Sequence, residues 1–307
     1  MPRRAFATAL GLLFALSITA WALHSQFGET SLASVREAAR AQPASHLLVA
    51  LGLTGLSFLC LALYDVVGAR IVAAQRVPFG TALLAGATGN AVSNTLGFHA
   101  VTGSVVRAVV YRRVGLTTSE VARIVSLAWL ALGLGFVTMV AAAEWVRATA
   151  GAHSWWFGGS LSAGLALFVL WLAGGPRRLS LFGFTQPLPS ARLAMLQMGI
   201  GAIESASAIG ALYVLLPADL APPFSVFAVG CIAAIALGVV AHTPGGLGVF
   251  EASVTALLGG AGRADLLAAL LIYRAIYNLL PFALSVVALA MLSLAVRRDV
   301  NSTAGTG

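Results

Sequence analysis

The sequence predicts an all-α fold: a polytopic bundle of about eight transmembrane helices, some of them broken or re-entrant. Three observations predict it. Only 9% of residues are charged and 59% are hydrophobic, with a mean hydropathy of +0.94, whereas a soluble domain carries roughly 25% charged residues to cover its surface. Apolar runs of bilayer length recur along the whole chain. Between them sit short clusters of arginine, the pattern that orients membrane helices.

The runs fall at about 5–23, 47–69, 122–143, 157–174, 193–216, 224–241 and 266–295. Two further stretches, about 80–106 and 243–260, are apolar but punctuated by Gly, Pro, Asn, Ser and Thr, and read as broken or re-entrant helices. The first run also fits a cleavable signal peptide, with Arg3 and Arg4 ahead of an apolar stretch and Ala20-Trp21-Ala22 behind it. That stretch exceeds the usual hydrophobic region of a signal peptide, which favours a retained helix. Residues 1–300 form one integral-membrane domain, and 301–307 read as a disordered cytoplasmic tail.

Charge gives the orientation. Segments 1–4, 68–80, 107–123, 175–192 and 296–299 hold thirteen arginines against Glu120 and Asp299. Linkers 24–46 and 144–156 balance Arg36, Arg40 and Arg147 with Glu29, Glu37 and Glu144, and 217–223 holds only Asp219. The first group is expected in the cytoplasm and the second outside, with both termini cytoplasmic and the protein in the plasma (inner) membrane. Seven full spans cannot return the chain to its starting side. Segment 80–106 lies between Arg76 and Arg107, so it enters and leaves on the cytoplasmic side; 243–260 is then the expected eighth crossing.

The net charge of +8 does not indicate nucleic acid, because the arginines form neither a basic face nor a tail. All 18 basic residues are arginine. Arginine's planar fork suits phosphate, and genomic base composition produces the same bias. Cys60 and Cys231 lie inside apolar runs with no metal-ligand spacing, and read as packing residues.

The first broken segment carries Asn90, Ser93 and Asn94 at i, i+3 and i+4, one face of a helix. Polar groups at membrane depth need partners, either in neighbouring helices or in a hydrated cavity. Arg107 and Tyr111 follow one helical turn apart, at the level of lipid phosphates; orientation of the helix and a headgroup contact both account for them. The second broken segment, His242-Thr243-Pro244-Gly245-Gly246-Leu247-Gly248-Val249-Phe250-Glu251, is Gly-rich but lacks the Lys-Ser/Thr of a nucleotide loop. Gly/Pro-interrupted segments about 150 residues apart in the two halves of a transporter-like chain point to the binding site and to a possible internal duplication. Glu204, mid-run, and Arg274, followed by Tyr277 and Asn278 at i+3 and i+4, put ionisable groups in the bilayer. Such charges cost at least about 2.5–3.5 kcal/mol to insert and suggest function; a Glu204–Arg274 tie between helices is the alternative. Asp65 and Glu144 lie near run ends, where water is within reach. No catalytic or metal-ligand constellation and no G-x-S-x-G elbow is present, so neither an enzyme, a cofactor nor a metal is expected.

At Ser93–Phe98, Thr102-Gly103, Arg107, Tyr111, Gly115-Leu116, His242–Glu251 and Tyr273-Arg274…Tyr277…Leu280-Pro281, the sequence resembles the transmembrane flippase region of lysylphosphatidylglycerol synthetase/flippase proteins and their stand-alone relatives. The resemblance spans essentially the whole chain. The sequence stops at Gly307 without an aminoacyl-transferase domain, so no aminoacylated lipid is expected to be made here. The resemblance implies lipid translocation, with membrane phospholipids, anionic or aminoacylated, as partners. The expected binding residues are Asn90, Ser93, Asn94, Arg107, Tyr111, Glu204, His242, Gly245, Gly246, Glu251, Arg274, Tyr277 and Asn278. A non-transporting subunit that presents lipid to a separate lipid- or polysaccharide-modifying enzyme, and a small-solute permease, are the alternatives.

Overall fold

The computed structural model describes residues 31–97, 99–151, 155–181, 184–240, 246 and 248–304; the first apolar run, 5–23, lies outside them. The fold is an all-α bundle. It begins with a short helix α1 (Leu32–Ala41), started by Ser31, whose hydroxyl accepts from the Ser34 amide. There follow α2 (Ala44–Ala73), α3 (Phe79–Leu96), α4 (His99–Tyr111), α5 (Thr118–Thr149), α6 (Trp155–Ala173), α7 (Ala191–Tyr213), α8 (Phe224–Val240), α9 (Val249–Leu258) and α10 (Ala264–Tyr273). A π-helical turn, Arg274–Leu279, joins α10 to α11 (Leu280–Ala304). Helix α11 thus runs on past residue 300. A small antiparallel hairpin, β1 (Arg178–Leu181) and β2 (Phe184–Pro187), pairs Ser180 with Thr185 within the arginine-bearing segment 175–192.

Helices α2, α5, α6, α7 and the run Ala264–Leu294 are long and apolar enough to cross a membrane. Helix α6 shows the lipid contact most plainly: only Gly158 and Leu172 are buried along it. Exposed Trp155 and Trp156 mark one end and exposed Trp171 the other, about 24 Å apart at 1.5 Å per residue. That separation suits aromatic anchors at two membrane interfaces. Arg177 stacks its guanidinium over Trp171 at the second.

Hydrogen bonds identify which loops share an end of the bundle. At one end, Arg76 pairs with Glu120, Gln186 donates to the Arg123 carbonyl, and Arg113 donates to the Leu292 carbonyl. The start of α5 there is fixed by a capping box, in which the Thr117 amide donates to Glu120 and the Glu120 amide donates to Thr117. At the opposite end, Gln42 donates to the Leu215 carbonyl and Arg263 clasps Asp219 at 2.7 Å.

The chain path follows. Helices α3 and α4 fold back on each other: Gly89 and Gly103 both face Arg107, and Gly103 also faces Ser93. The pair therefore leaves and re-enters at the Arg76 end, as expected for 80–106. Helices α8 and α9 do the same at the other end, with Gly230 against Leu257 and Gly238 against Gly246. This corrects the expectation for 243–260. Asp219 and Arg263 bracket α8 and α9 and touch each other, so the segment between them begins and ends on one side. Seventeen residues in α8 and ten in α9 make arms of about 25 and 15 Å, short of the ~30 Å hydrocarbon core.

Each half is thus a long helix, a fold-back pair and a long closing run: α2, α3–α4, α5 and then α7, α8–α9, α10–α11. The two halves run in opposite directions. Contacts repeat this inversion, with α3 packed on α11 and α8 packed on α5. The halves meet most closely where a Cβ built on Gly201 of α7 would lie 2.4 Å from the Gly135 Cα of α5.

Candidate functional site

The π-helical turn Arg274–Leu279 is where the two fold-back pairs come together. A π turn widens a helix locally and is found frequently at functional sites. From the first pair, the tip of α3 reaches the turn: Thr95 Oγ1 donates to the Asn278 carbonyl at 3.1 Å, and Asn278 Nδ2 donates to the Asn94 carbonyl at 3.0 Å. From the second pair, Glu251 Oε1 accepts from Arg274 Nε at 2.6 Å. The other oxygen, Oε2, accepts from the Gly248 amide at 2.8 Å and caps the start of α9. Gly248 has φ +82°, a conformation open to glycine, which lets that amide face the carboxylate. Gly246 also takes a positive φ, +66°.

An aromatic row connects these polar groups. The Arg274 guanidinium lies 5.4 Å over the Phe250 ring, Phe250 stacks on Tyr273, Tyr273 stacks on Tyr277 at 5.1 Å, and Tyr277 touches Phe58 of α2. Behind Tyr277 lies Glu204. Its Oε1 accepts from Ser57 at 3.0 Å and from Tyr277 at 3.4 Å, and Oε2 accepts from Ser205 at 3.3 Å. Glu204, Glu251, Arg274, Tyr277 and Asn278 therefore lie in one constellation. The Glu204–Arg274 tie does not form; the arginine's carboxylate partner is Glu251.

Arg107 and Tyr111 belong to a different place. Arg107 Nε donates to Asp65 Oδ1 at 2.8 Å, Nη2 donates to Oδ2 at 2.9 Å, and the Tyr111 hydroxyl adds a bond to Oδ1 at 3.1 Å. Gly86 lets α3 approach this carboxylate, since a Cβ there would sit 2.9 Å from Asp65 Oδ2. The reading of Asp65 as water-accessible is overturned: its side chain is fully buried, because it lies eight residues inside the end of α2. Glu144, also expected near water, is buried against Gly158 and paired with Arg147 at 2.6 Å. Asn90 donates to the Gly86 carbonyl of its own helix and, at 3.5 Å, to the Leu61 carbonyl of α2, and Ser93 donates to the Asn90 carbonyl. His242 and Gly245 lie outside the described residues.

Sequence reasoning missed Ser57, set Asp65 aside, and met Phe250 and Tyr273 only among the residues that carry the resemblance. For Asp65 the signal was present: one acid in an apolar run needs a partner, and Arg107 was already singled out. Ser57, Phe250 and Tyr273 look like ordinary helix residues, and only packing reveals them. Among the described residues, no three His, Cys, Asp or Glu side chains come together to hold a metal.

Comparison with known proteins relates the chain to a family of membrane proteins. Residues 8–285 match the family described as the lysylphosphatidylglycerol synthase TM region. The chain is 30% identical over 261 residues to the inner membrane protein YbhN of Escherichia coli strain K12, covering 80% of each chain. It is 27% identical over 281 residues to the uncharacterized protein slr0712 of Synechocystis, covering 88% of this chain and 85% of that one.

Proposed function

Because the chain belongs to the lysylphosphatidylglycerol synthase TM-region family, we propose that it binds a phospholipid headgroup at the π-helical turn and carries it between the two leaflets. The observation that supports this best is the meeting of two polar tips, entering from opposite ends of the bundle, at Arg274–Asn278. Transporter folds built from inverted halves place their substrate at such broken helices near the midplane.

In this reading Arg274 holds the lipid phosphate. Its side chain is 14% exposed and its carboxylate partner is already half committed to the Gly248 amide. A phosphate can take the place of Glu251 on the guanidinium, through the charge-assisted bonds arginine makes with such groups. The stacked rings of Phe250, Tyr273 and Tyr277 give the glycerol and upper acyl region an apolar wall. The protein is a translocase rather than an enzyme, since moving the lipid breaks no bond. The arginine-rich end, with Arg76 and Arg113, faces the cytoplasm of a cell with an inner membrane, and both termini lie there. Reporter fusions after Val300 and within 144–156 test the orientation; an external C-terminus would reverse it.

The test of function uses the purified full chain in liposomes of phosphatidylethanolamine and phosphatidylglycerol, with NBD-labelled phosphatidylglycerol as probe. Dithionite quenching of the inner-leaflet label as it emerges reports movement, and Arg274→Gln should stop it. A wild type that binds the probe without moving it would turn the reading towards a subunit that presents lipid to a separate enzyme.

A further inference from the structure

Glu204 differs from the other carboxylates buried in the bundle. Asp65, Glu144 and Glu251 each have an arginine. Among the described residues Glu204 has none; its partners are the hydroxyls of Ser57, Ser205 and Tyr277. The groups facing it from each neighbour are also uncharged. Helix α2 contributes Ser57, Cys60 and Tyr64, α10 and the π turn contribute Tyr273 and Tyr277, and Arg274, at the start of that turn, is held by Glu251. The buried residues of α5 near mid-helix are apolar, from Ala128 to Met139.

A second set of groups leads away from it. Gln197, Gly201 and Glu204 fall on one face of α7 at i, i+4 and i+7. The Tyr64 hydroxyl sits against Gly201, 2.9 Å from where its Cβ would be. Gln197 is fully buried, and neither its Oε1 nor its Nε2 has a protein partner; the Tyr64 hydroxyl also has none. An unpaired buried polar group is costly, and groups of this kind are commonly served by buried water. Gln197 lies seven residues, about 10 Å, from Glu204 towards the arginine-rich end. Tyr64 lies the same distance from Ser57 along α2.

We propose that Glu204 is a proton-carrying site, and that the Gln197–Tyr64 seam between α2 and α7 is a hydrated path by which it exchanges protons with the arginine-rich side. The carboxylate accepts one proton from that path and becomes a neutral acid; it then passes the proton to the Tyr277 hydroxyl as that hydroxyl gives up its own to water at the π turn, from which the proton leaves on the opposite side. Because Tyr277 touches both Glu204 and the aromatic row beside Arg274, lipid movement there is tied to the proton, and a transmembrane proton gradient drives it. The coupling rests on the translocation reading; the proton site does not.

Infrared titration of the full chain in the same liposomes separates the two. The wild type should show a buried carboxylic-acid band that disappears as the pH is raised. Glu204→Gln, which keeps size and hydrogen-bonding capacity, should remove that band, and Gln197→Leu should slow its exchange with deuterium. A band that persists in Glu204→Gln overturns the proton site, as does one that fails to titrate. If Glu204→Gln does not fold, Ser57→Ala should move the band's midpoint, and an unmoved midpoint overturns the site equally. With NBD-labelled phosphatidylglycerol, an imposed pH gradient should change the wild-type rate at least tenfold between its two directions. A rate indifferent to the gradient overturns the coupling. No lipid movement under any gradient, with the band behaving as expected, removes the translocation reading and leaves the proton site standing.

Discussion

The two fold-back pairs carry the same chemical couple, an arginine with a carboxylate, and use it in different ways. In the first pair Arg107 grips both oxygens of Asp65, Tyr111 adds a third donor, and the side chains are 5% and 0% exposed. In the second, Arg274 reaches one oxygen of Glu251, leans on Phe250, and is 14% exposed. A closed pair of this kind holds helices in place. An open pair with an aromatic neighbour can exchange its carboxylate for another anion. Position in the sequence does not separate them, since both arginines lie beside a broken segment; the grip on the carboxylate does, through both oxygens in the first pair and through one in the second.

The sharpest way to break this comparison is Asp65→Asn. It leaves the Arg107 guanidinium buried and unmatched, a change that costs about 3–5 kcal/mol. Folded yield and thermal stability in detergent should fall steeply, and Asp65→Asn with Arg107→Gln should recover part of the loss. A single mutant as stable as wild type would remove the structural role given to the first pair.

Next comes Arg274→Gln, with the opposite signature. Hydrogen bonds to charged groups contribute roughly 1.5–3 kcal/mol, so headgroup binding should weaken by roughly 10–100-fold. Thermal stability should change much less than for Asp65→Asn. Transport per folded molecule of NBD-labelled phosphatidylglycerol makes the comparison; equal stability losses in the two mutants would erase the distinction.

Glycines sharpen it further. A Cβ at Gly86 would lie 2.8 Å from the Ala62 Cα and 2.9 Å from Asp65, whereas one at Gly238 would lie 3.4 Å from the Gly246 Cα. Gly86→Ala should therefore cost about 1–3 kcal/mol by overpacking, and Gly238→Ala should lie within ±0.5 kcal/mol of wild type. Thermal melts of the two variants test whether Gly86 is the tighter of these two approaches.

The smallest effect is expected at the Asp219–Arg263 clasp. The hydrogen bond from Arg263 holds the Asp219 carboxyl below its ordinary range. A depressed acid contributes stability that is present above its ordinary pKa and is lost as pH falls through the lowered value. Asp219→Asn should leave the neutral-pH melt nearly unchanged, because exposed pairs contribute little, and should flatten the loss of stability in acid.

Much of this was legible in the sequence. Charge scarcity and run length gave the helical bundle, and Arg76 and Arg107 on either side of 80–106 gave the first fold-back pair. The second pair was harder to read because its flanks carry so little charge; the clasp of Asp219 by Arg263 joins residues 44 apart. Arg274, Tyr277 and Asn278 stood out as polar groups in an apolar run. Their arrangement did not, because a π turn inserts a register change that helical spacing does not announce. Arg107 was placed at the lipid phosphates because its distance from the membrane edge is visible and its partner on another helix is not.

The bare contact between Gly135 and Gly201 has a mechanical consequence. Each glycine stands near the middle of its long helix, and backbone meets backbone there with no side chains to interlock. Such a contact acts as a fulcrum. Each arm of α7 is about 15 Å long, so a tilt of about 10° moves its ends by roughly 3 Å, in opposite directions. Rocking about that point widens one mouth of the bundle as it narrows the other, while the centre, with Glu204 less than one turn away, stays still.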